Sequence, residues 1–383
     1  MSTLTPTSNE RIAILGAGQM GVAIAAAFLK KRFSVTLFDT SVQAVDTAWE
    51  RIEADLTLQQ VTNVAELMTN FACTNMLSSV ITDHGSCDGS CRITFVIETI
   101  TEKLRAKSRL YAEIVPWLDD STVLVSNTST ISIDQLAATL PTAKNMAARF
   151  CGFHFFHPVR ERSLVEIIRG QATSTETLGR ATQLAIAIDK TPLVVNDGPG
   201  FVVNRLLNAY LSGSLQLLTE GATLQQIDTV AEQFGMAMGP FRIMDEIGLD
   251  VTMHGGWVLY KAFPHRVEPS LILLELVRDG HLGRKTGCGF YRYESLTMWK
   301  SPGQSHTELE AMIAEKYRGG QYEPLPSVTD DMIIDRSIGK MFREGQRILE
   351  DGIVPTSAEI ELAATLGLGF PKNRWKESDC FIF

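Results

Sequence analysis

The sequence predicts an α/β protein: a doubly wound parallel sheet at the amino-terminal end, followed by an all-α carboxy-terminal domain that carries a partial second helical repeat. Three observations lead there. Residues 11–39 alternate strand, glycine-rich turn, helix and strand; short apolar runs then alternate with a helical stretch as far as residue 125; and after Asp197 the chain reads as helix and loop. Strands alternating with helices imply a parallel sheet covered on both faces. At 383 residues the chain exceeds one ordinary core, so two or three domains are expected.

The opening segment is the most specific. "RIAIL" is a continuous apolar run, "GAGQMG" breaks it, and "VAIAAAFLK" is made of helix formers. Gly16, Gly18 and Gly21 therefore stand between a strand and a helix, where backbone N–H groups meet a pyrophosphate at the positive end of the helix dipole. A tight turn with no ligand is the plainer reading of such a loop taken alone. The second strand ends at Asp39, about twenty residues on, where a carboxylate accepts from ribose hydroxyls and repels a 2′-phosphate. Together these features describe a Rossmann-type domain that prefers NAD to NADP.

Strands are expected next at Phe95–Ile97 and Thr122–Val125, separated by the helical "TEKLRAKSRLYAEIVPWL". "RFCGFHFFHPVRERSLVEIIRG" then places two apolar runs around a polar, proline-containing break. As an antiparallel hairpin turning at Arg160, it sets His154 opposite Glu166. A histidine hydrogen-bonded to a carboxylate is held in one tautomer and gains basicity, as abstraction of a hydroxyl proton requires. Spacing leaves open the alternative of a core histidine tied to a backbone carbonyl, with Glu166 in solvent.

"PGFVVNRLLNAYLSGSLQLLTEG" begins at a proline and closes at Gly221, in the manner of a helix. A boundary near 195 follows, with domains at 1–195, 196–295 and 296–383. Residues 202–240 match 333–371 at a constant offset of 131, pairing Arg205 with Arg336, Gly221 with Gly352, Asp228 with Glu359 and Pro240 with Pro371. The second copy is shortened, and packing rather than chemistry is its expected role.

Composition narrows the function classes. Hydrophobic residues at 45% and charged residues at 21% exclude a disordered chain. A net charge of -9 without a long basic run argues against a nucleic-acid partner. The cysteines form neither a CxxC pair nor a disulfide framework, and no metal-ligand set stands out. The first apolar run is too short for a signal peptide or a membrane span, so a cytoplasmic location is expected.

The glycine loop, "SNTSTISI", "GFHFFHPV", "LVEIIRG", "DGPGFVVNR", "MGPF" and "GRKTGCGFY", in this order over nearly the whole chain, resemble the 3-hydroxyacyl-CoA dehydrogenases. The likeness extends to the dehydrogenase portion of the large subunit of the bacterial fatty-acid β-oxidation multienzyme complex, without its enoyl-CoA hydratase domain. The resemblance implies hydride transfer from C3 of a (S)-3-hydroxyacyl-CoA to NAD, giving the 3-oxoacyl-CoA, in fatty-acid β-oxidation or related short-chain acyl-CoA metabolism, by a homodimer. It implies His154 as general base, Glu166 as its orienting carboxylate, and Ser129 and Asn204 as hydrogen-bonding partners of the substrate oxygen or the nicotinamide. At the cofactor it implies Gly16, Gly18, Met20, Gly21, Asp39, Glu102, Lys107, Ser129, His157 and Lys285. Outside the resemblance Glu102 reads as a helix N-terminal acid, Lys107 as an exposed helical lysine, Lys285 as a solvated loop charge and Asn204 as a helix cap.

The chain departs from the family at several points. His157 stands where asparagine is expected, and Arg162 where methionine is usual. Residues 52–91 hold no Lys or Arg, although relatives carry cations there for the CoA phosphates. The final "GLGFPKNRWKESDCFIF" abandons the family pattern, as expected equally of a shortened or frameshifted gene and of an adapted one. These departures motivate two other readings: a dehydrogenase of a free hydroxy or sugar acid on the same scaffold, and a catalytically silent NAD-binding protein.

Overall fold

A computed structural model describes residues 10–82, 92–294, 303–317, 319, 328–372 and 374–375. Cys87, Cys91, Cys380, the closing segment 376–383, the expected boundary at 295–296 and residues 83–91 of the cation-free stretch lie outside the described residues. The chain divides into two compact units, Met1–Gly198 and Pro199–Phe383.

The first unit is built on eight strands: β1 (Glu10–Leu15), β2 (Ser34–Phe38), β3 (Phe71–Thr74), β4 (Arg92–Glu98), β5 (Val123–Ser126), β6 (Phe150–Phe155), β7 (Leu164–Arg169) and β8 (Thr191–Asn196). Their order is β3-β2-β1-β4-β5-β6-β7-β8. Pairing is parallel from β3 to β6, then β7 runs antiparallel to β6, and β8 parallel to β7. Ile12, Ile14 and Leu15 are fully buried, as a strand covered on both faces must be. Helix α1 (Gln19–Lys30) buries Ile24, Ala25, Phe28 and Leu29, one apolar stripe at helical spacing, and α2 (Val42–Leu58) buries Ala48, Ile52 and Leu56 on the same core. Strand order reverses between β1 and β4, and in sheets of this kind ligands bind beyond the carboxyl ends of the strands at such a point.

The expected hairpin forms, with His154 opposite Glu166. Phe153, Phe155, Val165 and Ile167 belong to the core on one face of the sheet. By the two-residue period of a strand, His154 and Glu166 share the other face.

In the second unit, helix formation begins later than the proline suggests. Gly200 and Phe201 both adopt left-handed φ values (74° and 51°), which a right-handed helix cannot contain, so the helix runs Val203–Thr219. Pro199 belongs to the preceding turn. At the other end Gly221 (φ 112°) terminates the helix as expected, with the Ala222 N–H donating to the Leu217 carbonyl at 3.0 Å. The second copy repeats the plan: continuous helical turns over 330–350, Gly352 at φ 68°, then the helix Ser357–Ala363. Its first helix lies on Val203–Thr219, where buried Arg205 ion-pairs with Glu344 at 2.7 Å and Asp351 at 2.8 Å. The repeat thus neutralises a cation that its counterpart buries.

Gly213 permits this packing, because an added Cβ would stand 2.0 Å from the Arg336 carbonyl oxygen. Gly213→Ala should destabilise the protein by about 1–3 kcal/mol through overpacking. Gly179→Ala is the control: in the helix Thr175–Ala187 an added Cβ meets nothing within 4 Å, so the change should be neutral or stabilising by roughly 0.5–1 kcal/mol. Thermal unfolding of the two variants reads both, and equal melting temperatures would refute the close approach.

Candidate active site

The loop after β1 is shaped by three glycines with different constraints. Gly16 (φ 116°) lies against Thr99, whose hydroxyl donates to the Gly16 and Leu15 carbonyls, and a Cβ on Gly21 would strike the Gly16 carbonyl oxygen at 1.8 Å. These two glycines allow close packing of strand, loop and helix. Gly18 is different: it occupies the N-cap of α1 without a side-chain cap, and nothing lies within 4 Å of a Cβ built on it. The open helix N-terminus suits a pyrophosphate that approaches the backbone. Met20 is half-buried beside it. The Asp39 carboxylate accepts from the Ala17 N–H at 2.8 Å and the Ser41 N–H at 2.9 Å, which fixes its position; each oxygen keeps acceptor capacity for a ribose hydroxyl. Arg51 of α2, not evident as a site residue from sequence, donates to the Ala17 carbonyl at 2.8 Å and holds the loop from the other side.

The carboxyl ends of β4 and β5 carry a charge network that the sequence did not reveal. Glu98 is fully buried and accepts from the Ile100 N–H and Lys107 on one oxygen, and from the Tyr111 and Ser126 hydroxyls on the other. Lys107 is therefore no exposed helical lysine. It is 1% exposed, with its ammonium 2.6 Å from Glu98 and 3.4 Å from Glu102. Glu102 lies just before the helix Leu104–Ile114, yet its Oε1 accepts from the Ser129 and Thr130 N–H groups (2.8 Å each) and the Thr128 hydroxyl (2.7 Å), binding the loop after β5 rather than capping its own helix. Burial works to raise the pKa of Glu102, but Lys107, the Thr128 hydroxyl and the two N–H groups hold it at about 2. Ser129 is half-buried on that loop, its hydroxyl 3.3 Å from Glu102.

On β6 and β7, His154 Nδ1 donates to Glu166 Oε2 at 2.9 Å, with His154 5% exposed and Glu166 fully buried. A carboxylate can only accept, so the neutral imidazole carries its lone pair on Nε2. Asn127 joins this strand to the β5 loop, its Oδ1 accepting from the Phe155 N–H at 2.8 Å. His157, where the resemblance leads one to expect asparagine, lies 2.8 Å from the Gln19 amide nitrogen at the start of α1. The amide donates to Nε2, leaving His157 an N–H at Nδ1. Desolvation and the charges of Arg160 and Arg162 lower its pKa, which favours that neutral form.

Two expected residues belong to the second unit. Asn204 is the second residue of Val203–Thr219, so it is not the cap, which is Val202. Lys285 is half-exposed and ion-paired with Asp250 at 2.5 Å rather than simply solvated.

The family of the 3-hydroxyacyl-CoA dehydrogenase NAD-binding domain matches residues 11–198, and that of the 3-hydroxyacyl-CoA dehydrogenase C-terminal domain matches residues 200–293. Among solved structures, (S)-3-hydroxybutyryl-CoA dehydrogenase from Ralstonia eutropha is 32% identical, covering 75% of this chain and 100% of its own, with a TM-score of 0.68. The dehydrogenase part of multifunctional enzyme 1 from C. elegans is 27% identical over 94% of this chain and 79% of its own, with a TM-score of 0.64. 3-Hydroxybutyryl-CoA dehydrogenase from Escherichia coli K12 shares the fold at 24% identity, covering 95% of this chain and 90% of its own, with a TM-score of 0.79.

The depressed pKa of Glu102 makes a stability prediction. Its contribution is present above the ordinary value of 4.5 and is lost as pH falls toward about 2. Glu102→Gln should therefore lower the melting temperature near neutral pH, and the gap from the parent protein should shrink below pH 4.5. A gap independent of pH would show that the charge of Glu102 does not hold the loop.

Proposed function

Because this chain belongs to the 3-hydroxyacyl-CoA dehydrogenase family and is an NAD-dependent dehydrogenase, we propose that it oxidises the C3 hydroxyl of a (S)-3-hydroxyacyl-CoA with His154 as general base. The supporting observation is the buried His154–Glu166 pair, which holds the imidazole in the tautomer whose basic nitrogen is Nε2. NAD, when bound, supplies the acceptor for the hydride that leaves C3. Gly16, Gly18, Met20 and Gly21 receive the pyrophosphate, Asp39 the ribose, and Glu102, Ser129, His157 and Lys285 further parts of the cofactor. Ser129 and Asn204 orient the substrate oxygen or the nicotinamide. Lys107 acts through Glu102 as a positioning residue.

A phosphate-bearing carrier has support from the hairpin turn. Lys30, Lys31, Arg160, Arg162 and Lys190 line one pocket with only Glu161 and Asp189 as anions, a concentration of positive charge in a chain of net charge -9. All five cations lie outside the cation-free stretch 52–91, and Arg160 reaches Asp55 within it at 3.1 Å. The reading includes fatty-acid or short-chain acyl-CoA metabolism in the cytoplasm; no helix among the described residues is long and apolar enough to cross a membrane. It also includes a homodimer, which the exposed Trp257, Leu271 and Leu274 of the second unit support.

His154→Gln should lower turnover by roughly 10²- to 10⁴-fold, the usual worth of a positioned general base, with NAD binding retained. Glu166→Gln should also lower turnover, and the double variant should be little worse than His154→Gln alone, because groups that act as one unit are not additive. Losses that multiply would separate the two residues. For the carrier, Arg160→Ala/Arg162→Ala should raise KM for 3-hydroxybutyryl-CoA while leaving kcat for that substrate nearly unchanged. Faster oxidation of free 3-hydroxybutyrate than of its CoA thioester would overturn the acyl-CoA assignment and leave the dehydrogenase standing.

A further inference from the structure

The second unit gathers three ligand-type side chains that the proposed reaction does not use. His281 follows the helix Leu271–Arg278, Cys288 precedes β9 (Tyr291–Arg292), and His306 follows β10 (Gln304–Ser305), which pairs antiparallel with β9. One ligand atom from each lies within 4.8 Å of the other two, with His306 buried and its partners half-buried. We propose that His281, Cys288 and His306 form a structural zinc site.

Two features of the geometry bear on a metal rather than on packing alone. His306 Nδ1 lies 2.8 Å from the Gly289 carbonyl oxygen. A carbonyl only accepts, so Nδ1 carries the proton and Nε2 presents its lone pair, which is the arrangement that orients metal-binding histidines. The Cys288 sulfur is 3.8 Å from that Nε2 and 3.7 Å from Nδ1, so it lies beside the ring rather than along the Nε2 lone pair. Zinc bonds of about 2.3 Å to sulfur and 2.0–2.1 Å to nitrogen, set at a tetrahedral angle, separate the two ligand atoms by roughly 3.5 Å. Binding would require the Cys288 or His306 side chain to rotate so that the sulfur and the Nε2 lone pair converge on one point.

A fourth position is within reach. Glu308 Oε2 lies 3.4 Å from His306 Nε2, close to the separation of about 3.3 Å expected for oxygen and nitrogen on one tetrahedral zinc. That carboxylate also pairs with Arg292, so either Glu308 or a water completes the shell. The donor set decides the metal class: one thiolate with two imidazoles suits zinc and disfavours magnesium or calcium, which take oxygen. On binding, the Cys288 thiol loses its proton to solvent and the sulfur–zinc bond forms, with no redox change. The ion would reinforce three segments already joined by the Gly283–Cys288 bridge, the β9–β10 pairing and the His306–Gly289 hydrogen bond. No short motif announces the site, since ligands at 281, 288 and 306 lack the paired spacing of zinc fingers.

The test uses the full chain, stripped of metal under a reductant and titrated with zinc against a chromogenic chelator. Zinc should bind with a stoichiometry of one per chain and raise the melting temperature. Cys288→Ser and His281→Ala, both at half-buried positions, should each weaken binding at least tenfold and abolish the zinc-dependent rise in melting temperature. Cobalt(II) provides a readout on the unmodified chain, where a thiolate-to-cobalt charge-transfer band is expected. Absence of that band, no zinc uptake at micromolar concentration, or uptake equal in parent and variants would overturn the assignment.

Discussion

The site depends on the register of β6 against β7. Side chains alternate faces along a strand, so a slip of one residue would send Glu166 into the core and bring Val165 or Ile167 toward His154. Several contacts resist that slip. Gly152 faces Ile168 so closely that an added Cβ would lie 2.6 Å from its Cδ1. Asn127 fixes the end of β6 through the Phe155 N–H. In the turn, Lys190 donates to the Val159 carbonyl at 2.5 Å and the Arg162 carbonyl at 2.7 Å. Burial and the neighbouring charge of Lys30 bring the pKa of Lys190 down to about 8, against the opposing charge of Asp189.

A second constraint lies two strands away. A fully buried carboxylate is tolerated only when its acceptor sites are filled and its charge is paired. Glu98 meets both conditions, and in doing so it joins β4, β5 and the helix Leu104–Ile114. Lys107 then passes the connection to Glu102, which gathers the N–H groups of the loop that carries Ser129. The network positions a loop that sequence alone describes only as "SNTST". Breaking it at Lys107 would leave two neighbouring carboxylates without their shared cation, a loss of the kind that costs roughly 3–5 kcal/mol at a buried pair.

The legible parts of the sequence were those with a short period. β1, α1, β2 and the hairpin each carry their own apolar pattern, and the His154–Glu166 pairing followed from the hairpin's symmetry about Arg160. What was not legible depended on distant partners. Lys107 reads as solvated because most helical lysines are, and its partner Glu98 reads as the polar end of an apolar strand; only the fold brings them to 2.6 Å. Asn127 gave no signal because its partner is a backbone N–H 28 residues on. The start of Val203–Thr219 was placed too early because Pro199 signals a helix start and a turn equally well. Left-handed φ at Phe201, a bulky residue, has no sequence signature.

The two residues of the hairpin turn that depart from the resemblance, His157 and Arg162, become intelligible as a pair. An asparagine offers a neutral N–H at any pH, whereas a histidine in its place offers one reliably but can also take up a second proton and become a cation. In this structure Gln19 donates to His157 Nε2, which a protonated ring could not accept. Desolvation and the charges of Arg160 and Arg162 further disfavour protonation. Arg162, in a position where an apolar side chain is expected, thus helps keep His157 in the state that imitates an asparagine. The same turn contributes Arg160 and Arg162 to the basic pocket and, through its carbonyls, receives Lys190. One cation-rich turn therefore bears at once on the register of the hairpin and on the protonation of His157.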